Sequence, residues 1–561
     1  MLALLALFLP FSASAQAPTP ADIANANRAA EQIQREQQER QQQQLQKDIQ
    51  RGGERAPQET PEAKPPSLPK GGVCREIREI VFTGVTLLSQ ETLQAIAAPF
   101  QGKCLYARDI EQLLGEVLKA YIDRGYIAVR PYLRAQDLSG GRLEILIVEG
   151  RVGGFILKDG GRHSVNLATA FPGLAGKPLN LRDIEQGLDQ INRLASNGAT
   201  MEISPGDAAG DSLVNIVNNP GFPLGGSVSV NNQGSTSTGA YQGSLTLSLD
   251  HPLGLNDFIT LTHGLTLFDP KPDRDATSDS FFYSIPFGYW TLQLSGNRSR
   301  YHTPVPTATR TLVASGDSDS VRLELNRVAY RDRDQKLTAL VGITRKSSEN
   351  YLDGQYLSVS SRDLAIVDLG VNWSRRFPGW SANLNLGVAK GMDWFNALED
   401  AAGTPAASPH AQGAKLTYGG GVQFPFTALA REFSFSSQIS GQYALDALYG
   451  SEQITLGSHY SVRGFNRNSL AGDRGFYLRN ELSTALPGFA GIAPRLFLGL
   501  DAGRIAGYHA TPAATLSGAA LGLRFAGKYL SAEISVEKSL KVPGSLARES
   551  ALCAASVSAS F

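Results

Sequence analysis

The chain has 561 residues, with 52 Lys and Arg against 52 Asp and Glu, so its formal net charge is zero. This balance excludes bulk electrostatic attraction to nucleic acid or to an acidic substrate as the basis of function. The length allows more than one domain, and the 58 glycines among many short alternating segments are typical of β-structure with many turns.

Residues 1–15 have the pattern of a secretory signal peptide. Leu2 to Phe11 form an apolar core, and Ala13-Ser14-Ala15 supplies small residues for cleavage. No Lys or Arg precedes this core, so either the translation start lies upstream or the signal is atypical. The core is too short to span a bilayer, and no later apolar run reaches 18 residues, so membrane helices are not expected.

Residues 16–51 are predicted to form a polar helix, because the stretch 19–51 is rich in Gln, Glu and Arg and poor in apolar residues. A helix without an apolar face cannot dock on a core in the usual way. It is therefore either disordered or placed in a water-filled space. Residues 52–73 contain five prolines and are predicted to form an extended linker.

A weak duplication follows, in residues 74–150 and 151–218. The octapeptide from Leu105 to Gln112 returns from Leu179 to Gln186 with six identities, and matching helical and strand-like segments flank both copies. The order strand, helix, helix, strand, strand predicts an α+β module that is present twice. The alternative is one α+β domain with a chance similarity.

From residue 219 to 561 apolar and polar residues alternate in short runs, as around the turn Phe377-Pro378-Gly379. A soluble β-sandwich would turn the apolar face inward, whereas a membrane barrel would turn it toward lipid and line a wet lumen with the polar face. Aromatic residues at strand ends and charged residues on the polar face favour the barrel. At roughly 20 residues per strand and loop, this region predicts about 16 antiparallel strands.

Three cysteines are present, and export permits a disulfide. Cys74 and Cys104 fall in the first module and are the expected pair. Cys553 lies in the last predicted strand, where we expect a small packing residue. The C-terminal residue, Phe561, ends an alternating strand and resembles the signal that the barrel-assembly machinery reads.

The sequence contains no HExxH, CxxC or GxxxxGK[ST] motif, and its seven histidines do not cluster at metal-ligand spacing. We therefore expect no catalytic site, no metal and no cofactor, and hence not an enzyme.

Several segments resemble the TpsB family, the outer-membrane transporters of two-partner secretion. The matching segments are Asn231 to Tyr241, His251 to Asp257, Ser284 to Trp290, Leu448 to Phe465 and Phe497 to Gly503. Each motif is weak alone, but their order and spacing are specific, and the resemblance covers nearly the whole chain.

The resemblance implies a membrane β-barrel preceded by two α+β POTRA modules in the periplasm and an N-terminal helix that plugs the lumen. It also implies a re-entrant loop near 450–475, whose Val462-Arg463-Gly464-Phe465 meets Asp501 of a barrel strand. The implied partners are a large secreted TpsA-type exoprotein, outer-membrane lipid and, during biogenesis, the barrel-assembly machinery.

Two other functions remain open from the residues. An outer-membrane protein assembly factor of the same superfamily is disfavoured by the presence of only two modules, the polar helix and the Pro-rich linker. A passive porin is disfavoured because it needs no periplasmic modules. The sequence does not say whether the exported partner is an adhesin, a cytolysin or a contact-dependent toxin.

Overall fold

A computed structural model describes residues 19–51, 73–268, 270–307, 310–489, 491–508 and 513–561. The predicted signal peptide and all but the last residue of the predicted linker lie outside these ranges. No helix in the described part of the chain is long and apolar enough to cross a membrane.

The N-terminal helix α1 (Pro20–Arg51) is 32 residues long. It begins after Thr19, where the Asp22 carboxylate accepts hydrogen bonds from the Thr19 amide at 2.9 Å and hydroxyl at 2.7 Å. A carboxylate in the first turn of a helix satisfies amides that have no partner within the helix and interacts favourably with the helix dipole.

The first module combines three-stranded and two-stranded sheets with two helices. Its elements are β1 (Arg75–Ile77), β2 (Glu79–Thr83), α2 (Gln90–Ala97), β3 (Lys103–Leu105), α3 (Ala107–Ile122), β4 (Arg130–Tyr132) and β5 (Arg142–Val148). In the larger sheet β5 is central, parallel to β2 and antiparallel to β4. Alternate residues of β5 are buried against the helices, which gives the module its own core.

The second module repeats this topology. Its elements are β6 (Arg151–Lys158), α4 (Leu167–Ala170), α5 (Leu181–Asn192), β7 (Thr200–Pro205) and β8 (Asp211–Val217). Here β8 is central, parallel to β6 and antiparallel to β7. The prediction of two α+β modules is confirmed, and the shared strand order agrees with a duplication.

The remaining strands form one antiparallel sheet that closes on itself when the last strand pairs with the first. The sixteen strands that close the barrel are β9 (Leu224–Asn231), β10 (Gln242–Asp250), β11 (Phe258–Thr266), β12 (Asp275–Phe287), β13 (Trp290–Pro306), β14 (Thr311–Arg331), β15 (Gln335–Leu352), β17 (Arg362–Phe377), β18 (Trp380–Met392), β19 (Ala414–Ala428), β20 (Arg431–Ala444), β23 (Arg474–Ala485), β24 (Ala493–Ala506), β25 (Ala514–Ala526), β26 (Leu530–Lys541) and β27 (Leu552–Ser560).

Short elements lie in the connections between barrel strands. They are β16 (Gln355–Tyr356), β21 (Ile454–Leu456), β22 (Leu470–Gly472) and the 3-10 helices Trp394–Asn396 and Gly450–Glu452. The predicted turn at Pro378 and Gly379 joins β17 to β18, with Phe377 opposite Trp380.

The apolar face of the barrel strands points outward. Leu369, Leu384 and Leu386 are 59%, 43% and 47% exposed, whereas Asp368 of the same sheet points into the lumen and pairs with Arg322. A soluble sandwich would bury those leucines, so the barrel interpretation is confirmed. Cys553 also lies exposed on this outward face, and the packing role expected for it is wrong.

Candidate functional site

The chain between β20 and β23 folds back into the lumen, and we call residues 445–473 the re-entrant loop. Within it β21 pairs with β22 as a short hairpin. The hairpin lies against barrel strands β23 and β24. The segment near 450–475 thus lies against the barrel wall, where the resemblance implies a re-entrant loop.

Arg463 at the tip of the loop forms a bidentate ion pair with Asp501 of β24. Its Nε donates to Oδ2 of Asp501 at 2.6 Å and its Nη2 donates to Oδ1 at 2.8 Å. The Arg463 amide also donates to Oδ2 at 3.1 Å, so one carboxylate holds both the side chain and the backbone of the loop. Arg463 and Asp501 are 2% and 3% exposed. The structure thus brings together the two residues singled out in the sequence.

Glycines allow the loop to approach the wall this closely. A Cβ atom on Gly499 would lie 2.2 Å from Nη2 of Arg463, and one on Gly518 would lie 1.8 Å from the Arg463 carbonyl oxygen. Gly464 has φ +92° and would place a Cβ atom 2.4 Å from the backbone of Lys538. Side chains at these positions would push the loop off the wall. The close contact of the loop tip with the backbone of β24, β25 and β26 therefore depends on these glycines.

Val462 and Phe465, on either side of the ion pair, are buried in an apolar cluster. They pack with Leu456 of the loop and with Ile505 and Leu516 of the barrel wall. Burial of two such side chains stabilises the inserted loop by about 3–6 kcal/mol at most, because each contributes about 1.5–3 kcal/mol. The apolar contacts thus hold the loop, and the ion pair fixes its register.

Sequence reasoning missed two carboxylates that complete the site. Glu481 of β23 accepts from Nη1 of Arg463 at 3.4 Å and also pairs with Arg524, which in turn contacts Glu533. Glu537 of β26 accepts from the Gly464 amide at 3.2 Å and contacts Nδ1 of His459 at 2.6 Å. The only sequence signal for them is their position on the polar side of alternating strands, a property that many lumenal residues share.

The base of the loop is fixed separately from its tip. The Asp473 carboxylate accepts from the Leu448 amide at 2.9 Å and from the Tyr508 amide at 2.9 Å. Glu452 lies 2.6 Å from Nζ of Lys346 on β15 and 3.1 Å from Nζ of Lys415 on β19. The base of the loop is therefore attached to β15 and β19, and its tip to β24 and β26.

The helix α1 lies in the lumen against β13, β14 and β15. It has an apolar stripe, contrary to the expectation of a helix that is polar all round. Ala26, Ala30 and Ile33 are at most 1% exposed and pack against Val305 and Tyr301 among other wall residues. The stripe consists mainly of alanines, which is why the polar composition concealed it.

The α1 helix also touches the re-entrant loop. Arg35 donates to the Gly450 carbonyl oxygen at 3.3 Å. The Glu31 carboxylate lies 3.8 Å from Nη2 of Arg362, whose guanidinium group stacks 4.3 Å over the ring of Tyr449. The helix and the loop occupy the lumen together and share Arg362 as a contact point.

The first module is stabilised by a disulfide and by a partly buried carboxylate. Cys74 and Cys104 are bonded, with Cα atoms 5.3 Å apart. Burial would raise the pKa of Glu149, but hydrogen bonds from the hydroxyl and amide of Thr86, the amide of Leu87 and the hydroxyl of Tyr121 outweigh it, so the pKa lies below its ordinary value. Burial, followed by the hydrogen bond to this carboxylate, raises the pKa of Tyr121.

The second module is attached to the periplasmic turns of the barrel. In the turn between β10 and β11, Oδ1 of Asn256 accepts from the Asn166 amide at 2.9 Å. In the turn between β12 and β13, the Gly288 carbonyl oxygen accepts from Gln190 at 2.9 Å, and the hydroxyl of Tyr289 donates to Asp183 at 2.6 Å. The motifs around 251–257 and 284–290 thus hold the module against the barrel mouth.

The C-terminal residue closes the barrel seam. Phe561 donates to the Gly226 carbonyl oxygen at 3.0 Å and accepts from the Gly226 amide at 3.1 Å, while its side chain is 65% exposed on the outer face. At the other end of the seam, the side-chain amide of Asn232 extends the ladder by bonding to the Ala555 amide at 2.7 Å and to the Cys553 carbonyl oxygen at 2.8 Å. In the described part of the chain no group of three or more His, Cys, Asp or Glu side chains could hold a metal ion.

Comparison with known families gives three matches along the chain. The family described as haemolysin secretion/activation protein ShlB/FhaC/HecB matches residues 210–525. The POTRA domain of ShlB type matches residues 76–150, and the POTRA domain matches residues 151–205.

Curated relatives and solved structures agree with these matches. The outer membrane transporter CdiB of Dickeya dadantii is 36% identical over 498 residues, which cover 87% of each chain. The hemolysin transporter protein ShlB of Serratia marcescens is 33% identical over 450 residues, which cover 78% of this chain and 77% of that protein. The structure of CdiB from Escherichia coli superposes with a TM-score of 0.86 at 33% identity, covering 97% of this chain and 99% of that one.

Proposed function

The chain belongs to the haemolysin secretion/activation protein family ShlB/FhaC/HecB, and from this premise we propose how it recognises and exports its partner. Members of this family are outer-membrane transporters of two-partner secretion rather than enzymes, and this chain exports secreted exoproteins through its barrel. The exported partner is one large TpsA-type exoprotein, which reaches the periplasm unfolded.

Residues 74–218 capture that partner in the periplasm. In the first module the edge strand β4 pairs on one side only, and Tyr132 at its end is 51% exposed beside the exposed Leu133. An extended chain can add to such an edge through main-chain hydrogen bonds while side chains occupy neighbouring apolar pockets. The second module, attached to the barrel mouth through α5, delivers the captured segment to the lumen.

Export requires the two occupants of the lumen, α1 and the re-entrant loop, to rearrange. The observation that carries this proposal is the buried bidentate pair between Arg463 and Asp501 inside a polar lumen. Barrel closure does not need it, because the backbone ladder of β23 to β26 is continuous without the loop. The pair holds the loop in one register, which positions the loop tip for export.

Secretion of a large TpsA-type exoprotein that is co-expressed with this chain tests the function. In cells that express both, the exoprotein is expected at the cell surface, where added protease digests it. In cells without this chain it is expected to stay in the periplasm. An exoprotein that reaches the surface equally well in both strains would contradict the proposal.

Site-specific photo-crosslinking tests the capture surface. A photoreactive phenylalanine analogue at Tyr132 is expected to crosslink to the exoprotein in intact cells. The matched control is the same analogue at Tyr529, an equally exposed aromatic residue of a periplasmic turn, which is 59% exposed. Crosslinking from Tyr529 and not from Tyr132 would assign capture to a different surface.

A further inference from the structure

On several barrel strands the outward row of residues changes abruptly from apolar to basic toward the extracellular end. On β15 the outward residues Leu337, Ala339, Val341 and Ile343 are followed by Arg345, and on β18 Leu384, Leu386 and Val388 are followed by Lys390. The first outward charge is also basic on β13, β24 and β26. We call these five exposed residues the outer basic row: Arg298, Arg345, Lys390, Arg504 and Lys538.

The row lies at the outer boundary of the apolar band. Arg298 follows Trp290, at the periplasmic end of β13, by eight residues. Eight residues at about 3.3 Å each, on a strand tilted by about 40°, rise roughly 20 Å along the barrel axis. An outward apolar band is about 25 Å tall, so the Cα atom of Arg298 lies roughly 5 Å below its outer edge, and the long side chains of the row can reach the lipid headgroups.

Arg345 and Lys390 face the same patch of lipid. Arg345 lies opposite Ala365 and Lys390 lies opposite Val367, two residues apart on the intervening strand β17. With neighbouring strands about 4.8 Å apart, the two Cα atoms lie roughly 12 Å from each other. No ion pair among the described residues involves either side chain.

Arg298 has a different environment. Its guanidinium group is 54% exposed and lies 3.6 Å from Asp319 and 3.7 Å from Asp317 of the neighbouring strand. On β12 and β14 the first outward charges are carboxylates, Asp279 and Asp319. Asp363 of β17 and Asp319 of β14 lie on the same outward face as Arg345, each two residues from its partner on that strand, but neither pairs with it in the structure. The charged groups of Arg345 and Lys390 are therefore available to an anion outside the protein.

We propose that Arg345 and Lys390 bind the phosphate groups of a phosphorylated glycolipid in the outer leaflet of the membrane. A guanidinium group binds phosphate in a bidentate geometry and an ammonium group binds it as a point charge. Two cations roughly 12 Å apart at one level match a headgroup that carries two separated phosphates better than a headgroup with one. Such contacts fix the height of the barrel in the membrane on the side where α1 contacts the inner wall.

Native mass spectrometry of the detergent-solubilised full chain tests this proposal, with bis-phosphorylated lipid A as the probe. Wild-type protein is expected to retain it at least about tenfold more tightly than lipid A from which both phosphates have been removed. The double variant Arg345→Gln/Lys390→Gln is expected to lose this preference. The matched control, Arg467→Gln/Arg548→Gln, removes two exposed cations outside the outer basic row and the same total charge, and it is expected to behave like the wild type.

Three outcomes would overturn the proposal. The double variant could retain bis-phosphorylated lipid A as well as the wild type does. The control variant could lose the lipid equally, which would indicate a general charge effect. Wild-type protein could retain phosphatidylglycerol as tightly as lipid A, which would show that any single phosphate suffices and would exclude the glycolipid. A heat-modifiability assay on gels checks that each variant remains a folded barrel.

Discussion

At the residue scale, Arg463 and Asp501 illustrate how a weak motif becomes a specific contact. Both charges are almost fully buried, and removing one partner of such a pair costs about 3–5 kcal/mol. For Arg463, the contact with Glu481 at 3.4 Å offsets part of the loss of Asp501. Loss of the pair is expected to release the loop rather than unfold the barrel, because the strands keep their ladder hydrogen bonds.

We therefore predict that Arg463→Ala and Asp501→Ala each leave the protein in the outer membrane but strongly reduce secretion of the exoprotein. The double variant should be no worse than either single variant, because the shared contact is already lost. Quantitative immunoblots of surface exoprotein, normalised to barrel abundance, measure the effect. Arg467→Ala, an exposed arginine on the same loop, is the matched control. Wild-type secretion by Arg463→Ala at equal abundance would remove the loop tip from the mechanism.

Glu149 leads to a prediction of pH dependence in the first module. Its pKa in the folded module lies below the ordinary value, so its stabilisation is fully present above the unfolded pKa, about 4.5, and is lost as the pH falls through the lower folded pKa. Glu149→Gln should destabilise the module by about 1–2 kcal/mol at pH 7, because hydrogen bonds to a charged acceptor become hydrogen bonds to a neutral amide.

Hydrogen exchange of the amides of α3 and β5 in the full chain measures this effect. Wild type and Glu149→Gln should differ at pH 7 and converge as the pH approaches 3. Glu111→Gln, at an exposed position on α3, should exchange like the wild type at both pH values. A difference for Glu149→Gln that persists unchanged at pH 3 would exclude a contribution from ionisation.

At the scale of elements, α1 is bound by few apolar contacts. Its stripe is short, and the buried polar atoms Oδ1 of Asn27 and Nε2 of Gln34 have no hydrogen-bond partner among the described residues. Buried polar groups without partners reduce the free energy of association. The helix is therefore suited to fill the lumen and to leave it.

Deletion of residues 20–37 is expected to raise single-channel conductance in planar bilayers, because the helix occupies lumen that ions could use. Insertion of the barrel should be unaffected, since no barrel strand pairs with α1. A matched control replaces Arg28, on the exposed side of the helix, with Gln and should leave conductance unchanged. Unchanged conductance after the deletion would show that α1 does not restrict the pore.

The last strand, β27, leads to a prediction about biogenesis. Removing Phe561 should lower the amount of protein in the outer membrane, because it removes an outward aromatic side chain and two backbone hydrogen bonds at the seam. Phe561→Ala keeps the backbone bonds and separates the two contributions. Secretion per inserted molecule should stay constant. Cell fractionation with heat-modifiability gels measures insertion, and normal insertion of the truncated chain would contradict the prediction.

At the scale of the whole molecule, the second module contacts three periplasmic turns of the barrel. These contacts attach the modules to the barrel. Asn256 and Gly288 lie in two of these turns, and Arg331, the last residue of β14 before the third turn, pairs with Asp189 of α5. In the first module, the disulfide closes a segment with a sequence separation of 30.

Reduction of this disulfide, or Cys74→Ala, should destabilise the first module by about 3–4 kcal/mol in the chain-entropy model. Proteolysis of the full chain should then begin in the first module. Cys553→Ala, which removes the outward-facing thiol, is the control and should not change protease resistance. Alkylation without reductant followed by mass spectrometry checks the bond directly, and labelling of both Cys74 and Cys104 in folded protein would contradict it.

The sequence by itself determined the barrel, the two modules and the main contact of the loop. These follow from local patterns, namely a two-residue alternation, a repeated octapeptide, and a short motif whose arginine needs an acceptor. The alternation also indicated which face meets lipid, because only a membrane barrel accepts Asp and Glu on the inward face and leucine on the outward one.

Only the tertiary structure decided which residues from distant strands meet. Glu481 and Glu537 lie 18 and 74 residues after Arg463 along the chain. They differ from other lumenal carboxylates only because strand register and barrel closure bring them to the loop tip. The apolar stripe on α1 can likewise be recognised only from its contacts with the barrel wall. Alanine is only weakly apolar, so its burial depends on the shape of the wall that it contacts. Local sequence sets the direction of each side chain, whereas barrel closure sets its neighbours.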